Sequence, residues 1–331
     1  MIIKTSGKYR SWKGSWADDL VKDPTIFGHF LGFFEWVNGP MGNLPRFLAK
    51  NSFKTPTDSK AGSFQDFYGS GVESYQPPLG DAAVFEKLKS MLAEDEKLCE
   101  LFVNDQNVTS RLGDLANAKQ APLLPQWAQH MGDFMESHSR YNHRLWTELF
   151  PTETIAKDPK KDRVLVVDIG GGKGHDALKF AELHPEIPDG SLVVQDLPHV
   201  IKEAKALEGQ KKVLPCEYNY LDPQPIKGAR AYYIHVVIHN ADDNRAIAVL
   251  KNVVEAMEKG YSQLLIHESV IDLEHPHANA TSQDLIMMGQ FSAQERTHDR
   301  WTYVMEKAGL RIRDIKKKAG FPDAVIVAEK A

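Results

Sequence analysis

Two patterns of apolar and polar positions meet near residue 160. Before that point apolar residues recur at helical spacing between loops. Aromatic residues are frequent there (Phe30, Phe33, Phe34, Trp36, Phe64, Phe67, Tyr68), and Gly39-Pro40 and Pro77-Pro78 interrupt the runs. Helices are expected over 84–92 and 125–149, the second with Trp127, Met131, Phe134, Met135 and His138 on one face. The segment 152–163 is polar and aperiodic and makes the expected domain junction. A mainly helical region over 1–155 and a second domain over 156–331 follow from it.

From residue 164 short apolar runs alternate with amphipathic helices. Strands are expected over 164–169, 192–195, 213–216, 231–238 and 264–267, and their unbroken apolar character suits a parallel sheet covered on both faces. Ala246, Val249, Leu250, Val253 and Met257 make one helix face, with Gly260 as the expected stop. A later helix starts near Thr297, buries Trp301, Val304, Met305 and Ala308, and ends at Gly309. Strands over 310–315 and 324–329 form a hairpin-like addition. The fold class is therefore α/β, a doubly wound sheet of about seven strands.

Composition narrows the function classes. The net charge of −5 comes without a dense basic face, and Lys316, Lys317 and Lys318 read as a solvated strand edge, so nucleic acid is not an expected partner. The two cysteines, Cys99 and Cys216, have neither disulfide-framework nor metal-ligand spacing, and no metal is expected. No apolar stretch reaches the ~20 residues of a membrane span, and Met1-Ile2-Ile3-Lys4 is too short for a secretory signal. A cytoplasmic enzyme is the expectation.

Asp168-Ile169-Gly170-Gly171-Gly172-Lys173-Gly174-His175 joins a buried strand to a helix through four glycines. Glycine admits positive φ and lets a backbone approach a ligand closely. Asp196, at the tip of the second strand, can accept both ribose hydroxyls of an adenosine group. The loop fits two cofactors. Gly172-x-Gly174-x-x-Ala177 is a dinucleotide fingerprint in its alanine form, and Asp168-x-Gly170-x-Gly172-x-Gly174 is the form seen with S-adenosylmethionine.

His239, in Ile238-His239-Asn240-Ala241-Asp242-Asp243, stands at the carboxyl end of the fourth strand, the edge that faces the ligand crevice in open α/β sheets. An imidazole of pKa ~6.5 is available there as a general base. Glu268 and Glu295 can reach the same edge, and a carboxylate on the far ring nitrogen would fix the tautomer. His235 and His267 lie within strands and read as packing or pocket-wall residues.

Taken together, Val167-Asp168-Ile169-Gly170-Gly171-Gly172, Gln195-Asp196-Leu197-Pro198, Pro223-Gln224-Pro225-Ile226-Lys227-Gly228, the His239 segment, Leu265-Ile266-His267-Glu268 and Glu295-Arg296-Thr297 resemble the class I O-methyltransferases of fungal and plant specialised metabolism. The resemblance implies S-adenosyl-L-methionine as cofactor and a phenolic or polyketide-type small molecule as acceptor. It implies His239 as general base flanked by Glu268 and Glu295. It places the cofactor on Asp168, Gly170, Gly172, Gly174, Asp196, Leu197, Asn219 and Tyr220, and the acceptor against Met135 and His138.

Three positions depart from the family pattern. His-Asp-Trp is replaced by His239-Asn240-Ala241, which removes a charge and leaves a gap where an indole would pack; Asn240 also reads as the N-cap of the next helix. Asn219 stands where an aspartate beside the adenine is usual. By the resemblance, the sequence is expected to begin at the wing, near Lys8-Tyr9, without the dimerisation helices and most of the winged-helix region, and the homodimer usual in the family is therefore not a firm expectation. Two other readings accompany methyl transfer: a pericyclase-like enzyme that keeps the cofactor without transferring methyl, and an inactive homologue that only binds. The dinucleotide reading of the loop leaves a nicotinamide-dependent oxidoreductase.

Overall fold

The apolar runs beyond residue 164 do form the strands of one sheet, as seen in a computed structural model that describes residues 2–5, 8–11, 38–69, 145–158, 160 and 162–331. The chain forms two compact units, Met1–Phe53 with Ser63–Asn142, and Lys54–Gly62 with His143–Ala331. In the first, β1 (Ile2–Thr5) pairs antiparallel with β2 (Lys8–Ser11). There α1 (Asn38–Lys50) packs on α2 (Ser63–Tyr68), with the Asn43 amide donating to Asp66 at 2.9 Å and the Ser63 hydroxyl to the Pro40 carbonyl at 2.9 Å. The expected helix over 84–92 lies outside the described residues, as does that over 125–149 except its end, α3 (Trp146–Leu149).

In the second unit the elements after α3 are α4 (Glu153–Ala156), β3 (Val166–Ile169), α5 (His175–Leu183), β4 (Leu192–Asp196), α6 (Pro198–Glu203), β5 (Val213–Glu217) and β6 (Ala231–His235). They are followed by α7 (Asp243–Ala256), β7 (Gln263–Ile271), α8 (Ala278–Phe291), β8 (Arg296–Thr297), α9 (His298–Ala308), β9 (Leu310–Lys317) and β10 (Asp323–Lys330). The sheet order is β5-β4-β3-β6-β7-β10-β9, with short β8 beside β7. Strands β3 to β7 are parallel, and β10 enters antiparallel between β7 and β9. The expected α/β architecture is therefore present, and the carboxyl ends of β3, β4, β6 and β7 share one edge.

Alternation along β6 shows how the two faces are filled. Tyr232 and Ile234 join Val167, Ile266, the α7 face and Trp301, Val304 and Met305 of α9. Ala231 and Tyr233 join Val166, Val194, Leu265, Phe180 of α5, and Trp146 and Ile155. Trp146 stacks on Phe180 and Tyr233 at 5.4 and 4.7 Å, which seats α3 on the sheet. The polar stretch 152–163 carries the helical turn α4, whose Ile155 and Ala156 are buried in this core.

Four local expectations need correction. Strand β6 ends at His235 rather than 238, because Val236 takes φ +54° and turns the chain out of the sheet. Strand β5 is the sheet edge and only half covered, with Leu214 45% exposed; Pro215, which lacks an N–H, fits there because one flank is unpaired. The N-cap of α7 is Asp242, whose carboxylate accepts from the Arg245 N–H at 3.0 Å, and not Asn240, whose amide donates weakly to the Val236 carbonyl at 3.4 Å. That helix also closes at Met257 in extended conformation, before Gly260. By contrast α9 matches its expected limits, capped by Thr297 and by Gly309 at φ +87°.

The capping assignment has a direct test. Asp242→Ala should lower stability by about 1 kcal/mol in denaturant unfolding, whereas Asn240→Ala should cost less than about half of that.

Candidate active site

The glycine bend begins where β3 ends. Gly170 takes φ +72°, and a Cβ there would come within 2.7 Å of a Val237 methyl. On Gly171 a Cβ would meet the Asp168 carboxyl at 2.6 Å. Larger residues are therefore shut out by the neighbouring β6 turn on one side and by a buried acid on the other. Gly172 and Gly174 are also left-handed, at φ +56° and +82°, and a Cβ on Gly172 would meet nothing within 4 Å, so that side of the bend is open. Gly174 leads straight into α5.

Three carboxyl groups surround this bend. Asp196, at the tip of β4, accepts from the Gly172 N–H at 2.9 Å and from the Leu197 N–H at 2.7 Å. A carboxylate offers about four lone-pair directions, so two remain for a ligand. Burial pushes Asp196 up from the usual carboxylate range, against the pull of those two amides. Asp168 is 2% exposed, and its Oδ2 has no hydrogen-bond partner among the described residues. Burial first, then the charges of Asp176 and Asp196, hold it well above the ordinary value. Beyond β5, Asn219 is exposed and its side-chain oxygen accepts from the Leu221 N–H at 3.0 Å, while the Tyr220 carbonyl accepts from Asn252 at 3.1 Å.

On the next strand over, the chain leaves β6 through Val236. A β-branched residue in the left-handed region is strained by about 1–3 kcal/mol, and the surroundings hold it there. Glu268 of β7 accepts from the Val237 N–H at 3.0 Å and the Ile238 N–H at 2.6 Å through one oxygen. Arg296 donates to the carbonyls of Ile238 at 3.0 Å and Ala241 at 2.7 Å. Between these clamps the helical turn Ile238–Asn240 presents His239, whose Nδ1 lies 2.6 Å from Glu295 Oε1. A carboxylate only accepts, so Nδ1 carries the proton and Nε2 is the nitrogen left for proton transfer. Ala241 is buried in the same core cluster as Trp301.

Electrostatics at this turn favour the imidazolium. Burial lowers the His239 pKa, but the Glu295 charge and hydrogen bond, with the Glu268 charge, outweigh it and leave a net rise above 6.5; Arg296 opposes them. Burial raises Glu268 above its ordinary value, with His239 pulling the other way and Glu295 adding to the rise. The two acids thus act differently: Glu295 touches the imidazole, and Glu268 touches the backbone that carries it.

A second histidine–carboxylate pair occupies the opposite sheet face. His235 Nδ1 lies 2.7 Å from Asp176 of α5, Tyr233 donates toward the same carboxylate at 3.2 Å, and its hydroxyl is 2.9 Å from His267 Nδ1. The two imidazoles stack at 4.1 Å. Burial would raise Asp176, but the charge and hydrogen bond of His235 dominate and lower it. The wall-residue reading of His235 and His267 missed this network; its only trace in the sequence was the two polar residues inside otherwise apolar strands. Arg296 was likewise visible only as the middle of Glu295-Arg296-Thr297. Met135 and His138 lie outside the described residues, which contain no cluster of His, Cys, Asp and Glu fit to hold a metal ion and no helix long and apolar enough to cross a membrane.

The raised His239 pKa makes two linked measurements informative. Glu295→Gln should move the His239 titration midpoint down, read by NMR of the imidazole. The pair's contribution to stability should be full below the unfolded value of ~6.5 and lost as pH rises through the raised folded value. An unchanged midpoint would mean that Glu295 does not set this imidazole.

Comparison with known proteins fits this geometry. A family model for the O-methyltransferase domain matches residues 156–311. Demethylsterigmatocystin 6-O-methyltransferase stcP of Emericella nidulans is 34% identical over 205 residues, covering 62% of this chain and 98% of that protein. O-methyltransferase mfmE of Annulohypoxylon moriforme is 32% identical over 306 residues, 90% of this chain and 64% of that protein. O-methyltransferase mpaG of Penicillium roqueforti is 39% identical over 174 residues and is matched over 43% of its length, so the chain spans less than two thirds of both mfmE and mpaG. In fold it is similar to LepI in complex with SAM (TM-score 0.75, 22% identity, 100% of this chain and 73% of that one). It is likewise similar to OxaC in complex with SAH and oxaline (TM-score 0.71, 22% identity, 95% and 68%). With a buried histidine–glutamate pair beside a glycine bend, and near-complete coverage of a relative at this identity, the chain belongs to the O-methyltransferase family.

Proposed function

We propose that the protein is an S-adenosyl-L-methionine-dependent O-methyltransferase acting on a phenolic or polyketide-type small molecule. The observation that carries this reading is the 2.6 Å contact of His239 with Glu295 at the carboxyl edge of β6, packed through Val237 against the glycine bend of β3. A base and a nucleoside cradle thus share one wall.

Charge favours the methyl donor over a dinucleotide. Asp168 and Asp196 border the bend, and Asp176 sits in the first turn of α5. A pyrophosphate brought to that helix end would face Asp196 and Asp176, whereas a cofactor's ammonium would give the Asp168 Oδ2, without a partner among the described residues, a cation that draws that raised carboxyl back toward its ionised form. The open side of Gly172 and the two remaining lone pairs of Asp196 suit a ribose. In this reading Asp168, Gly170, Gly172, Gly174, Asp196, Leu197, Asn219 and Tyr220 hold the cofactor within the domain 156–331, and Met135 and His138 of the region 1–155 line the acceptor site. The Emericella nidulans relative is a demethylsterigmatocystin 6-O-methyltransferase, which supports a polyketide-type acceptor.

When bound, the cofactor supplies an electrophilic methyl group. His239 takes the acceptor hydroxyl proton at Nε2, Glu295 holds the ring and stabilises its charge, and Glu268 keeps the turn in place. A free phenol of pKa ~10 lies about 5 kcal/mol from an imidazole of ~6.5. The upward shift of His239 narrows that gap, and proton removal concerted with attack by the oxygen accounts for the rest.

Calorimetry should show binding of S-adenosylmethionine and S-adenosylhomocysteine but not of NAD, and labelled methyl should pass to members of a phenolic panel. His239→Ala should lower that transfer by roughly 10²–10⁴-fold while cofactor affinity stays within about twofold. Product formed without release of S-adenosylhomocysteine would instead establish a non-methylating enzyme.

A further inference from the structure

We infer that Arg296 is a positioning residue for His239, acting through the backbone on both sides of the imidazole. The inference rests on His239 serving as the base. Arg296 is 1% exposed, and two of its three nitrogens donate into the His239 turn. Nη1 donates to the Ile238 carbonyl, Nη2 to the Ala241 carbonyl, and Nε to Asp243 Oδ1 at 3.0 Å. Asp243 is itself held by Arg300 and by Gln294 at 3.3 Å, and the guanidinium lies 5.3 Å from the Trp301 ring. The fork is therefore fixed from behind, and it fixes what lies in front.

What lies in front needs fixing. The turn begins at the strained Val236, and relaxation of that residue would swing Val237 and His239 together. Glu268 restrains only the amides at the start of the turn; Arg296 alone bridges its two carbonyls among the described contacts. Glu295 immediately precedes Arg296, the first residue of β8, so the acid that holds the ring and the cation that holds its backbone are adjacent in the chain at the start of one short strand. Strand β8 is in turn paired to β7 at Val270 and Ile271, the strand that carries Glu268. A planar fork with fixed donor spacing performs this bridging; an ammonium is a point charge and cannot reproduce it.

The test uses the whole 331-residue chain and its variants Arg296→Lys and Arg296→Met. The proton on His239 Nδ1, assigned by its loss in His239→Gln, should appear far downfield in the wild type and be weakened or lost in both variants. That readout does not depend on methyl transfer, so it decides the inference even should the wild type methylate nothing. Where transfer is seen, kcat should fall about 10²-fold in Arg296→Met and less in Arg296→Lys, with KM and S-adenosylmethionine affinity within about twofold. Retention of the downfield proton and of kcat in either folded variant overturns the inference. So does failure of Arg296→Lys to fold, since Arg296 would then be a general support of the domain rather than of His239.

Discussion

The site hangs on a single turn. Val236 holds the left-handed conformation that β-branched residues avoid, and the chain tolerates it because a carboxylate and a guanidinium grip the next five residues from opposite sides. Without that turn β6 would run on through residue 238, and His239 would emerge from a strand rather than from a short helical turn. The same turn puts Val237 against Gly170, so the geometry of the His239 turn and that of the glycine bend are one constraint. The need for glycine at 170 is set partly by a residue on another strand.

Much of the architecture was legible in the sequence because it depends on period and punctuation. Buried strands at 164–169 and 264–267 read as apolar runs, and the α9 helix declared itself through Thr297 and Gly309. The helix over 243–256 was legible on its buried face, but its ends were not. Asn240 and Asp242 are equally good caps by residue type, and only the end of the preceding turn decides between them. The end of β6 was hidden for a similar reason: Val236, Val237 and Ile238 are good strand residues, and the turn is imposed by Glu268 and Arg296, distant in sequence. Strand β5 looked buried by composition, yet its place at the sheet edge is a property of topology.

His239 and Glu295 were legible as candidates and the structure brings them into contact. The different duties of Glu268 and Glu295 were not, since a carboxylate that accepts from backbone amides looks no different in sequence from one that holds an imidazole. The sheet also separates two histidine–carboxylate pairs. His239 with Glu295 borders the core that contains Trp301, and His235 with Asp176 borders the core that contains Trp146. Both stand at the carboxyl edge, and the glycine bend lies beside each. The acids around that bend, with Asp168 Oδ2 lacking a partner among the described residues, favour the cationic one of the two cofactors that its glycines alone left open.

The most direct test of this account is a crystal structure of the chain with S-adenosylhomocysteine. The ribose hydroxyls should meet the Asp196 carboxylate, the sulfur should face His239 Nε2 across the space beside Val237, and Nδ1 should remain on Glu295. A ligand bound away from the bend at 170–174, or an imidazole turned from the sulfur toward the Trp301 core, would contradict it.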